Sequence, residues 1–104
     1  MHNDQLPGII QQNRIEWSVH ALKRMLEKNI SRAAVKHVIA KGEIIENYPD
    51  DKPFPSALCH GIWQGQVLHV VLAYDLNGRK VYVITAYWPD EEHFNNDLRT
   101  RRGQ

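Results

Sequence analysis

An α+β fold, with two helices packed on one face of a four-stranded, mainly antiparallel sheet, is predicted by three features of the chain. Apolar residues recur at helical spacing between Trp17 and Ile39, the period changes to two from Glu43 onward, and the turn signals Gln64-Gly65 and Asn77-Gly78 divide the second half into hairpins. The 104 residues fit one domain, large enough to bury ~65% of the unfolded surface. A net charge of +1 is not the footprint of a protein that holds nucleic acid by bulk charge. Basic clusters are local instead: Lys23, Arg24, Lys28 and Arg32 near the first helix, and Arg99, Arg101 and Arg102 at the end, where they suit RNA phosphates.

Residues 1–13 show no sustained periodicity and read as a flexible leader, leaving 14–104 as the single domain. The first helix is expected over residues 18–28. Ser18 is its N-cap, Trp17 and Leu22 form a hydrophobic staple, and Val19, Leu22, Met25 and Leu26 form the inward stripe. Asn29 then tolerates the left-handed turn that ends it. In the second helix Ser31 repeats the cap and Ile30 with Val35 the staple; Ala34, Val35, Val38 and Ile39 face inward, and Gly42 is the stop.

A short strand follows over residues 43–48. The loop 49–55 holds three prolines, which remove amide donors and restrict their predecessors, so it is stiff and irregular. Residues 56–63, 66–74 and 80–88 make an antiparallel meander. Pro89-Asp90-Glu91-Glu92 reads as a helix start, giving a short C-terminal helix or tail.

The single cysteine, Cys59, excludes an internal disulfide framework, and neither a signal peptide nor a long apolar run is present; a reducing cytoplasm and no membrane are expected. Cys59 lies in an apolar alternating segment and reads as a buried small residue.

His20 and Arg24 stand four apart on the polar side of the first helix, with Lys23 between them, and can reach a common anion. A histidine in the first turn is kept neutral by the helix dipole, although an ordinary solvated helix face gives the same spacing. If Gln64-Gly65 is a two-residue loop, His60 falls opposite His69 on one sheet face. With Asn77-Gly78 as the next loop, Ala86 falls opposite His69, Tyr82 and Trp88 share the histidine face, and Thr85 and Tyr87 point away; a loop one residue longer reverses this.

Two histidines with aromatic residues nearby suit metal-free RNA cleavage. A base takes the 2′-hydroxyl proton, an acid protonates the leaving 5′-oxygen, and a cation such as arginine steadies the phosphorane. Aromatic groups such as Trp88 can hold an unstacked base. The competing readings are a hydrogen-bonded core role for His69 and a metal held by His60 and His69 with Cys59 or Asp75. No H-x-x-x-H, C-x-x-C or carboxylate cluster supplies a third ligand, and Cys59 points to the other face, so no metal or other cofactor is expected. His2, His37 and His93 have bland readings: a loose terminus, a helix surface and a surface turn.

The series Trp17-Ser18-x-His20-Ala21-x-x-Arg24-Met25, Ile30-Ser31 with Val35, Gly42-Glu43-Ile44-Ile45-Glu46-x-Tyr48-Pro49-Asp50-Asp51, Pro55-Ser56, His69-Val70-Val71 and Ile84-Thr85-Ala86-Tyr87-x-Pro89-Asp90 resembles a small bacterial family of unassigned function. That family is similar, at superfamily level, to the RelE, colicin E5 and colicin D ribonucleases. The resemblance implies a RelE/barnase-like fold and a candidate endoribonuclease toxin acting on mRNA or tRNA, neutralised by a zinc-finger antitoxin of the YgiT/MqsA type. Carried across, it points to His20, Arg24, His69, Thr85 and Tyr87 as site residues; His60 comes from the hairpin pairing alone.

Two functions follow as expectations: a metal-independent endoribonuclease, and a non-catalytic module of the same fold that binds protein or RNA. For the enzyme, His69 or His20 is base or acid, Arg24 holds the phosphate, and Tyr87 or His60 assists. His20, Arg24 and His69 must then meet at one phosphate; placement on opposite sides of the sheet favours the module. Trp63, Trp88 and Tyr87 suit a homodimer surface as well as a base-stacking platform.

Overall fold

Two serines start the two helices. Ser18 Oγ accepts the Ala21 amide at 2.9 Å and Ser31 Oγ accepts that of Ala34 at 3.0 Å, each satisfying a donor that the first helical turn cannot. The structure, a computed structural model, describes residues 14–90. Its elements are β1 (Ile15–Trp17), α1 (Val19–Glu27), α2 (Arg32–Lys41), β2 (Glu43–Tyr48), β3 (Ser56–Trp63), β4 (Gln66–Asp75) and β5 (Lys80–Tyr87). The expected leader, the helix start beyond Asp90 and Arg99, Arg101 and Arg102 lie outside the described residues.

The sheet has five strands, not the four expected from the sequence, in the order β1-β5-β4-β3-β2. The added strand is β1, which pairs parallel to β5 with Trp17 beside Val83. Three residues are too few to show a period of two, and the partner strand lies at the far end of the domain. β2, β3, β4 and β5 pair antiparallel as expected. The two helices cover one sheet face. Ala21 and Met25 of α1 and Ala34, Val35, Val38 and Ile39 of α2 form one cluster with Ala57, Cys59, Leu68, Val70, Leu72 and Val83.

The stripe expected on α1 is corrected. Ala21 and Met25 are buried, whereas Val19 and Leu26 are 84% and 85% exposed. The phase of the helix is fixed at its cap: Ser18 N–H donates to Val83 O at 3.2 Å and Ser18 Oγ–H to Ile84 O at 3.2 Å. Those bonds turn Ala21 toward the sheet. Asn29 ends α1 with φ 57°, as its side chain allows.

Gly42 also ends its helix, for a different reason. Its φ is −80°, open to any residue; what it supplies is room, because a Cβ there would collide with the carbonyl oxygens of His60 and Val38. A Cβ on Gly61 would press on Val38 at 3.1 Å. The two glycines let the end of α2 lie against β3 at His60.

Gln64 (φ 51°) and Gly65 (φ 82°) make the expected two-residue hairpin turn, both left-handed as a type I′ turn requires. His60 is therefore opposite His69. The β4–β5 turn holds four residues, 76–79, which preserves the parity of a two-residue loop as far as Leu72 and Val83. A bulge then inserts Ile84, so that Val71 pairs with Thr85 and His69 with Tyr87. Ala86 and Trp88 therefore move to the helix side, while Thr85 and Tyr87 join the histidines, which corrects the expected order beyond Val83. No described helix is long and apolar enough to cross a membrane.

Candidate active site

Three side chains on three adjacent strands form a ladder across the sheet face turned away from the helices. His60 Nδ1 is 3.0 Å from His69 Nε2, and His69 Nδ1 is 3.3 Å from Tyr87 Oη. The rings meet nearly edge to face, with centroids 5.2 and 5.3 Å apart. Register places them: His60, His69 and Tyr87 occupy one row of the sheet, and the Ile84 bulge brings Tyr87 into it. His69 is fully buried, while His60 and Tyr87 are half-buried.

Each bond in the ladder needs one proton. With Nδ1–H of His60 donating to His69, and Nδ1–H of His69 donating to Tyr87, the Nε2 end of His60 is a proton acceptor. With all protons reversed, Tyr87 donates inward and His60 Nε2 carries the hydrogen. The ladder has two tautomeric settings, and taking a proton at His60 selects between them. His69 fills the hydrogen-bonded core role as well, since burial and partnership coincide in it.

His60 also borders an open hollow of about 600 Å³ shared with His37, Lys41 and Glu43. β2 pairs with β3 only as far as Glu43 and His60, so the edge of β3 beyond that point is left for the last turn of α2 to border. Gly42 permits that approach, which is why His37 and Lys41, one helical turn apart, come to the same hollow. His37 rests its ring against Trp63 at 5.3 Å. His37, Lys41, Glu43 and His60 thus border one hollow at the open edge of β3, with the His60 ring on the ladder's face and the His37 ring against Trp63 on the helix side.

The expected meeting of His20, Arg24 and His69 does not form. α1 packs through Ala21 and Met25 on the face opposite the ladder; His20, Lys23 and Arg24 are exposed on it, and Arg24 pairs with Glu27 at 3.7 Å. Thr85 shares the ladder's face, opposite Val71. Trp88 packs on the helix side, its indole N–H donating to Lys28 O at 2.9 Å. The sequence reads His37 as a helix-surface residue, and it is exposed on α2; neither it nor Lys41 is marked there as a site residue. Their four-residue spacing matches that of His20 and Arg24, but only the fold brings one of the two pairs to a strand histidine.

Among the described residues no three His, Cys, Asp or Glu side chains converge as metal ligands. Cys59 lies on the helix side, and burial pushes its thiol up from 9.0 to about 12, which removes it as a nucleophile at neutral pH.

Residues 17–88 match the model of a family described as a domain of unknown function (DUF4258). No curated protein and no solved structure matches the chain significantly.

Proposed function

The chain belongs to the DUF4258 family, whose description carries no activity, so the reading rests on the site itself: we propose a metal-independent endoribonuclease centred on the hollow beside His60. The observation that carries it is the His60–His69–Tyr87 ladder, whose outer member stands at the edge of the sheet beside a hollow that His37 and Lys41 also border. The resemblance to RelE and the colicin nucleases supports the reaction class and adds the further proposal of a RelE-like toxin in the cytoplasm, restrained by a zinc-finger antitoxin.

His60 Nε2 takes the proton of a ribose 2′-hydroxyl as the 2′-oxygen bonds to phosphorus. His37 gives a proton to the departing 5′-oxygen as its bond to phosphorus breaks, and Lys41 steadies the phosphorane charge. The products are a 2′,3′-cyclic phosphate and a 5′-hydroxyl, with no net proton change. His69 is too deeply buried to touch RNA; it holds the tautomer and orientation of His60, and Tyr87 does the same for His69.

The non-catalytic module has its own support. His20 and Arg24 are separated from the ladder by the sheet, and Val19 and Leu26 present apolar groups outward on α1, a pattern that suits protein contact. Incubation of single-stranded RNA with the protein in excess chelator separates the readings. Products ending in 2′,3′-cyclic phosphate support the nuclease. Absence of cleavage with and without added divalent metal leaves the module.

A further inference from the structure

The ladder's face carries a hollow of its own that the proton chemistry does not use. It has a volume of about 330 Å³ and is bordered by Asp51, Lys52, Pro53, Phe54, Tyr82 and Ile84, at the small end of the ~300–1,000 Å³ typical of small-ligand pockets. The rings of Phe54 and Tyr82 lie stacked, 5.4 Å between centroids and 9° from parallel, and both are half-buried. The proline-rich segment holds Phe54 over the sheet: Pro55 O accepts the Tyr74 amide at 3.0 Å, and the Ser56 hydroxyl donates to Asp51 Oδ2.

Tyr82 pairs with Ala73, and Ala73 with Ser56. That row is four residues along β3 and β4 from the row of His60 and His69, or about 13 Å at strand spacing.

We propose that this hollow is a base-binding subsite for single-stranded RNA, selecting a nucleobase that bears an exocyclic amino group. The inference rests on the RNA reading above. A base extends the Phe54–Tyr82 stack, which is open to any planar ring. Asp51 supplies the selection: a carboxylate only accepts hydrogen bonds, so with Oδ2 engaged by Ser56, Oδ1 takes an amino hydrogen of adenine, cytosine or guanine. Uracil presents a carbonyl oxygen in place of that amino group and, with only its ring N3–H to donate, is held less well. Lys52 at the rim meets the adjoining phosphate.

The test is fluorescence anisotropy with labelled 2′-O-methyl hexa-adenylate and hexa-uridylate, which 2′-hydroxyl attack does not cleave. The adenylate is expected to bind more tightly. Phe54→Ala is expected to weaken it roughly five- to a hundredfold, the range for loss of one stacked base, and Asp51→Ala to bring the two oligomers level. Phe54→Leu keeps apolar bulk without the ring and decides the matter if the alanine variant does not fold. Equal binding of the two oligomers, wild-type affinity in Phe54→Leu, or no binding of either oligomer overturns the subsite. Cleavage of ordinary RNA is scored separately. Selective binding without cutting removes the nuclease and leaves the subsite standing; cutting with affinity indifferent to Phe54 does the reverse.

Discussion

His60 Nδ1 lies 3.0 Å from His69 Nε2, and the half-buried ring of the pair is held by the fully buried one. His69→Leu therefore removes a partner from both His60 and Tyr87. The expected cost is about 1–3 kcal/mol of stability, read by urea denaturation, together with an altered pH profile of cleavage. An unchanged profile with lowered stability would assign His69 a packing role only.

Ser18 joins the helix cap to the β5 bulge. Ser18→Ala loses both side-chain bonds, and a fall in stability of about 0.5–2 kcal/mol is expected from the cap alone. Tyr87 depends on the same bulge for its place in the ladder. Chemical shifts of the Tyr87 ring should move in this variant, while those of Gln64 and Gly65 in the distant hairpin should not.

Gly42→Ala is expected to destabilise by about 1–3 kcal/mol or more, because the added methyl meets two backbone carbonyls rather than yielding side chains. Gly65→Ala has open space around its Cβ and carries only the strain of φ 82°, about 1 kcal/mol. Thermal melts of the two variants give the order.

Cys59 supplies a pH prediction. Its pKa is raised from 9.0 to about 12 by burial, so the folded state disfavours the thiolate. The contribution of this group to stability is fully present below pH 9 and is lost as pH rises through about 12. Iodoacetamide at pH 8 should label the thiol slowly in the native protein and quickly in urea; fast native labelling would contradict its burial.

The helix starts, the meander and the His60–His69 pairing were legible in the sequence because each is set by neighbours: a capping serine, alternating residues, a two-residue turn. β1 was not, since three residues carry no period and their partner is remote. Ile84 looks like any strand residue, yet as a bulge it decides the face on which Tyr87 lies, and what fixes it is Ser18 from the other end of the domain. The same non-local contact rotated α1 and left Val19 and Leu26 outside. His37 and Lys41 were hidden in plain helical spacing, because the close approach that Gly42 permits is a tertiary fact.

Cleavage of a labelled single-stranded RNA under single-turnover conditions in chelator, compared across His60→Gln, His37→Gln and His20→Gln, bears most directly on where the chemistry resides. Loss of about a hundredfold or more is expected for His60→Gln and for His37→Gln, with His20→Gln close to wild type. A His20→Gln variant that is inactive beside an unimpaired His60→Gln would contradict the site.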